Sequence, residues 1–146
     1  MNKPRIKTIA LAGMLGLVSL ATSTNVLATP LLRCNLTYAG DTQSIAATPV
    51  IDPYPVPSVD IGGRFRFKAV MVGSTTKLDR IVLYAYFNAD ADADAGTQPM
   101  LIQQVKYLPP FKASATPYPL TGEQRLYAGT AERELIYSCT LEGAQP

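Results

Sequence analysis

Two residues of this chain can form a covalent cross-link: Cys34 and Cys139, its only cysteines. Each lies in a segment where apolar and polar residues alternate, in phase with the apolar positions. A thioredoxin-like redox pair has the spacing C-x-x-C, and a metal site of soft ligands needs further cysteines or histidines. In an exported chain, two distant cysteines are most simply a structural disulfide. We therefore predict one bridge that joins the first and last strands of the fold.

The absence of histidine restricts the catalytic chemistry open to the chain. Ser-His-Asp and Cys-His sites both require an imidazole, and no P-loop, G-x-S-x-G or H-E-x-x-H motif occurs. Glu132 and Glu134 are close enough for paired acid–base work, but they fit the charged start of an alternating strand. We predict a protein that is not an enzyme and has no cofactor.

A short tract of aspartates offers hard oxygen ligands. Asp90, Asp92 and Asp94 alternate with alanine, and carboxylate oxygens suit calcium. The spacing does not fit an EF-hand loop, because Ala95 stands where glycine is required and Leu101 stands where glutamate closes the site. We interpret the tract as a solvated hairpin loop and predict no metal, with calcium on these three aspartates as the weaker alternative.

The first 28 residues have the features of a cleavable secretion signal. Lys3, Arg5 and Lys7 precede an apolar run over residues 9–21, and residues 26–28 offer a cleavage site. The run is shorter than the roughly 20 residues that span a bilayer. We therefore predict export with cleavage after Ala28 and no membrane span in the cleaved chain.

Cleavage would leave residues 29–146 as a single domain in the periplasm or the extracellular medium. Three of the 13 basic residues leave with the signal 1–28, so ten remain against eleven acidic residues and the net charge becomes −1. Nucleic-acid binding is not expected, because it requires a basic stripe or patch. The expected partner is another extracytoplasmic protein, and the oligomeric state is left open.

The apolar residues of this domain recur every second position, which is typical of β-strands. The predicted strands are 32–38, 64–71, 79–88, 100–107, 124–128 and 134–141. The stretch 39–60 is rich in turn residues and proline, which favours a surface loop or an extended edge segment. Six or seven short strands favour a small antiparallel β-sandwich of Ig-like architecture. A small closed β-barrel is the alternative.

The predicted strand Asp79–Asn88 is apolar on both faces, and only one face can meet the core of a two-layer fold. The other must be covered by the chain, for which Ile51–Val59 is long enough, or by a partner, or remain exposed. Tyrosine suits interfaces, although it also pairs well within sheets. The possible interaction face comprises Val82, Tyr84, Tyr86, Tyr107 and Tyr127.

These features predict an exported, non-enzymatic module for protein binding or an accessory role. Two alternatives belong to other classes of protein. A structural subunit of a surface assembly should have an unpaired strand edge and form concentration-dependent polymers. An inhibitor of an extracytoplasmic enzyme should present a rigid protruding loop, for which residues 49–57 and 109–119 are the candidates.

Overall fold

The computed structural model describes residues 28–89, 98–129 and 133–144. In these ranges the chain forms ten β-strands and no helix, which confirms the all-β prediction. The strands are β1 (Leu31–Tyr38), β2 (Asp41–Ala47), β3 (Pro49–Val50), β4 (Val59–Ile61), β5 (Phe65–Gly73), β6 (Leu78–Phe87), β7 (Met100–Tyr107), β8 (Tyr118–Pro119), β9 (Gln124–Ala128) and β10 (Arg133–Glu142).

The strands form two separate sheets. In the first sheet the order is β2-β1-β10-β8, and β9 also pairs with β10. In the second sheet the order is β3-β5-β6-β7, and β4 also pairs with β5. All of these pairs are antiparallel except β3 with β5. The described strands thus confirm the predicted β-sandwich rather than the closed barrel.

The hydrophobic core lies between the two sheets. In β10 every second residue is buried, as period-two alternation requires. The ring centroids of Tyr137 in β10 and Phe67 in β5 lie 5.0 Å apart, so an aromatic pair joins the sheets. The Tyr137 hydroxyl also donates a 2.7 Å hydrogen bond to Oε1 of Gln103 in β7. A polar link therefore accompanies the apolar contact between the layers.

The predicted disulfide between Cys34 and Cys139 is confirmed. The two cysteines are directly opposite in the β1–β10 ladder, with their Cα atoms 4.1 Å apart. Both side chains are buried in the core. The bridge joins neighbouring strands of one sheet, whereas the bridge of immunoglobulin domains joins two sheets. It closes a loop with a sequence separation of 105.

The stretch 39–60 contains more strand than its composition suggests. A loop is the wrong expectation for β2, which pairs with β1 along its whole length. The connecting turn uses Ala39 and Gly40, both with positive φ, and a two-residue turn of this kind matches the twist of a hairpin. The short strands β3 and β4 agree with the alternative of an extended edge segment, because both lie at the edge of the second sheet.

Two predictions fall outside the described residues. The export signal lies almost wholly in residues 1–27, and Asp90, Asp92 and Asp94 lie in 90–97, so both stay predictions. Within the ranges that are described, no helix is long and apolar enough to cross a membrane.

Candidate binding face

The outer face of the second sheet is the candidate site. Its side chains alternate with core residues such as Phe65 and Phe67, so they point away from the first sheet. We call this surface the tyrosine face. It consists mainly of Arg66, Lys68, Val70 and Val72 from β5, Arg80, Val82, Tyr84 and Tyr86 from β6, and Gln104 and Lys106 from β7, with Asp60 from β4 beside Arg66.

One end of the tyrosine face is covered by the chain itself. Val70 and Val82 are directly opposite each other in the ladder and only 2% and 4% exposed. Pro53 and Tyr54, from the loop between β3 and β4, lie beside them. The proline-rich segment therefore shields the valines, as one of the sequence alternatives expects. Val82 is consequently not available as an open contact residue.

The other end carries two half-buried rings. Tyr84 and Tyr86 stack with their centroids 6.3 Å apart and an interplanar angle of 15°. The Lys68 ammonium lies 6.0 Å from the centroid of the Tyr84 ring, within the range of a cation–π contact. Burial, and secondarily the neighbouring Tyr84, raises the pKa of Tyr86. The Tyr86 hydroxyl thus keeps its proton at neutral pH, and the stacking orients the two rings relative to each other.

Beside Tyr86, the Arg66 guanidinium is held by the chain. Its Nε donates a 2.8 Å hydrogen bond to Ser58 Oγ, and a terminal nitrogen donates one of 3.2 Å to the Ser58 carbonyl. Arg66 is opposite Tyr86 in the ladder, as Lys68 is opposite Tyr84. Each tyrosine therefore has a cation as its cross-strand neighbour.

The tyrosine face has an excess of positive charge. Within the described part of the chain, none of its four cations forms an ion pair. On the first sheet, in contrast, Arg33 pairs with Glu142 at 3.9 Å and Arg125 pairs with Glu134 at 3.0 Å. Asp60 is opposite Arg66, but its carboxylate accepts hydrogen bonds from a backbone amide instead. The tyrosine face therefore carries a local excess of positive charge that carboxylates of the described residues do not balance by ion pairs.

A groove of about 180 Å³ runs between this face and the loop that shields it. We call it the valine groove, and its lining consists of Pro53, Tyr54, Lys68, Val70, Val72, Arg80, Val82 and Tyr84. The valines form an apolar floor, and Tyr54, which is 89% exposed, forms part of the wall. Convergent polar groups around an apolar floor are the usual features of a recognition site.

A larger cleft of about 260 Å³ opens beside β2, at the edge of the sandwich. Ile45, Ala47, Val56 and Val59 are among its lining residues, and no charged side chain contributes to the lining. Thr48 is the one lining residue with a polar side chain, so the cleft has few groups that could orient a polar ligand. The valine groove is therefore the better candidate.

The structure separates the five residues of the predicted interaction face. Val82, Tyr84 and Tyr86 do share one surface. Tyr107 is wrong as a member, because it is opposite the core residue Ile81 and packs against the core; burial raises its pKa.

Tyr127 is also wrong as a member of that face. It lies on β9 of the first sheet and is 67% exposed. A hydrogen bond with Glu134 raises the pKa of Tyr127, so its hydroxyl is engaged locally.

Sequence reasoning missed the basic half of the site. The alternation of Arg66 and Lys68 with phenylalanine identifies a charged face, but it does not show which strand lies alongside. Only the β5–β6 pairing brings these cations beside Tyr84 and Tyr86. The position of Tyr54 beside this face could not be predicted, because its loop has no alternation of apolar and polar residues.

The described residues contain no group of three or more histidine, cysteine, aspartate or glutamate side chains that could hold a metal ion. Comparisons of the chain with protein-family models, curated proteins and solved structures found no match. The function is therefore argued from the tyrosine face itself.

Proposed function

We propose that this chain is an exported, non-enzymatic module that binds another extracytoplasmic protein through its tyrosine face. The observation that carries the proposal is the stacked, half-buried pair of Tyr84 and Tyr86, each beside a cation that forms no ion pair within the described residues. Tyrosine and arginine are enriched among the residues that dominate binding energy at protein interfaces. The disulfide indicates an oxidising, extracytoplasmic compartment, and periplasmic or secreted localisation through a signal peptide is part of the proposal.

The rings suit a protein partner because each has an apolar body and a polar hydroxyl. Their half-buried state means that part of each ring is already fixed, so less conformational entropy is lost when a partner covers the rest. The valines at the other end are shielded from within. The chain therefore covers the valine end of this face and leaves the two tyrosine rings partly exposed.

The proposal is tested by crosslinking the tagged protein in its host cells and identifying partners by mass spectrometry. The double variant Tyr84→Ser with Tyr86→Ser should lose the main crosslinked partner. Because both rings are only half-buried, the free energy of unfolding should fall by no more than about 2 kcal/mol. Tyr127→Ser is the matched control, since it removes an exposed ring from the other sheet, and it should leave crosslinking unchanged.

Two results would contradict the proposal. Equal loss of crosslinking in the Tyr127→Ser control would show that the tyrosine face has no special part. A loss of several kcal/mol in the double variant would show that the rings are core residues, because large-to-small changes in a core have such costs.

A structural subunit of a surface assembly is the second candidate, favoured by the sheet edges. In the described residues, β2 and β7 each pair with one strand only. An unpaired edge can accept a strand from another chain, and β7 also exposes Met100 and Leu101. Sedimentation that shows polymers growing with protein concentration would favour this candidate over the binding module.

A further inference from the structure

We propose that the partner inserts an extended segment with the pattern acidic–x–apolar–x–acidic into the valine groove. The inference rests on the proposed function and specifies the chemistry that the partner must supply. The pattern is inferred from the positions of Lys68 and Arg80 on either side of the valines in β5 and β6.

The groove spans three successive rows of the β5–β6 ladder. Lys68 is opposite Tyr84, Val70 is opposite Val82, and Val72 is opposite Arg80. The two cations therefore lie at opposite ends, with the valines between them. Residues two apart in a strand repeat at about 7 Å, so the outer rows are about 13 Å apart.

An extended partner segment has the same repeat. Its side chains at positions one, three and five point to one side, with about 13 Å between the first and the fifth. Acidic side chains at the ends then reach Lys68 and Arg80, while the central side chain enters the groove between the Tyr54 and Tyr84 rings. An α-helix can place side chains at a similar spacing every fourth residue, but its diameter of about 10 Å with side chains is too wide for a groove of about 180 Å³.

Charge complementarity favours carboxylates at both ends. Neither Lys68 nor Arg80 forms an ion pair within the described ranges, and both are half-buried. A carboxylate can form two parallel hydrogen bonds with a guanidinium, which gives direction as well as attraction. At the Lys68 end the ammonium also lies over the Tyr84 ring.

The centre of the groove favours an apolar side chain. Val70, Val72 and Val82 line its floor but are only 2%, 8% and 4% exposed, so the apolar surface open to a partner is mainly that of the Tyr54 and Tyr84 rings. The volume of about 180 Å³ is below the roughly 300–1,000 Å³ of small-molecule sites. This size suits one inserted aliphatic side chain between the walls that Tyr54 and Tyr84 provide.

A nucleic acid or an acidic polysaccharide fits less well. Such polymers bind along a continuous basic stripe through repeated phosphate or sulfate contacts. In the groove an apolar floor separates the two cations, and a uniformly charged polymer would leave that floor without a complementary group. The observations therefore favour a peptide segment.

The probe is a capped pentapeptide with glutamate at positions one and five and leucine at position three. It is titrated into the isotope-labelled exported protein, with amide chemical shifts recorded by NMR. We expect shifts at groove residues, and at least fivefold weaker binding when both glutamates become glutamine or when leucine becomes serine. Equal binding of the glutamine peptide would overturn the proposal, as would tighter binding of heparin or duplex DNA.

Charge reversal of the protein provides the complementary test. Lys68→Glu and Arg80→Glu should each weaken peptide binding at least fivefold. Lys68→Gln and Arg80→Gln remove the charge without reversing it; they should weaken binding less, and they replace the reversals if those variants do not fold. Lys106→Glu is the matched control, because Lys106 belongs to the same face but does not line the groove. An equal effect of Lys106→Glu would show that only general charge attraction operates. A peptide with lysine at both ends should restore binding to the double Lys68→Glu, Arg80→Glu variant.

The two proposals fail in different ways. If Tyr84→Ser with Tyr86→Ser abolishes crosslinking in cells while Lys68→Glu with Arg80→Glu leaves it intact, the tyrosine face binds a protein but the acidic segment is wrong. If neither pair of changes affects crosslinking, the proposed function itself is refuted.

Discussion

The stability of this domain should depend on pH in the alkaline range through Tyr137. This residue is only 1% exposed, and its hydroxyl links the two sheets by the hydrogen bond to Gln103. Burial, and secondarily the nearby Tyr107, raises the pKa of Tyr137 to about 12, against about 10 for an unperturbed tyrosine. The folded state thus retains the proton when the unfolded chain has begun to lose it.

The sign and size of the effect follow from this difference. The contribution of Tyr137 is fully present below pH 10 and is lost as the pH rises from 10 towards 12, because ionisation then favours the unfolded chain. At pH 11 the loss should be about 1.4 kcal/mol, and above pH 12 it should approach about 2.7 kcal/mol.

Tyr137→Phe isolates this contribution, because phenylalanine keeps the ring that packs on Phe67 and removes the hydroxyl. At pH 7 the variant should be less stable by about 0.5–1.5 kcal/mol, the usual net value of one hydrogen bond. At pH 11 the difference should have disappeared or reversed by up to about 1 kcal/mol, because the parent has by then lost about 1.4 kcal/mol through Tyr137 and the variant has no group at this position to ionise. Urea unfolding followed by circular dichroism at pH 7, 9, 10 and 11 measures both values.

The control is Tyr54→Phe, which removes a hydroxyl from a ring that is 89% exposed and should leave the alkaline loss of stability unchanged. Some alkaline loss should persist in Tyr137→Phe, because burial also raises the pKa of Tyr86 and Tyr107. If the protein and its Tyr137→Phe variant lose the same stability between pH 7 and pH 11, the reasoning is refuted.

Two further predictions concern the covalent and backbone framework. Replacing both Cys34 and Cys139 by alanine should lower the free energy of unfolding by roughly 2–5 kcal/mol, because the bridge restricts a very long loop of the unfolded chain; a loss below 1 kcal/mol in urea unfolding would contradict this. Gly62→Ala should cost about 1–3 kcal/mol more than Gly63→Ala, since both have positive φ but only a Cβ at Gly62 would meet the Tyr38 ring, 2.6 Å away. Equal melting temperatures for the two glycine variants would show that the ring moves aside without cost.

The sequence was sufficient to predict those features that depend on residues within one strand. Alternation along β10 placed Cys139 on the buried face, and the same alternation placed Cys34 there in β1. Since the bridge requires both cysteines to face the core, these two local patterns were enough. The double apolar character of β6 likewise indicated that its outer face must be covered by the chain, covered by a partner or exposed, and the loop around Tyr54 supplies the cover at the valine end.

Features that depend on the pairing of distant strands were not predictable in this way. A tyrosine in an alternating segment has two possible directions, and only its ladder partner decides between them. Tyr107 turns inward because it pairs with Ile81, and Tyr127 belongs to the other sheet because β9 pairs with β10. The extended-edge alternative for 39–60 covers β2, but the hairpin itself was not identified, since its mostly polar residues lie at an edge and its turn uses Ala39 rather than asparagine or aspartate.

The position of the disulfide determines how the domain would respond to mechanical force. The two ends of the fold are neighbours, because Leu31 is opposite Glu142 in the β1–β10 ladder. Tension applied at the two ends would separate these strands one residue pair at a time. Three ladder pairs precede the bridge, and at Cys34–Cys139 the load passes into a covalent bond. Everything inside the loop, including the tyrosine face, would stay folded and unloaded, so a partner bound there would not be released when the ends are pulled.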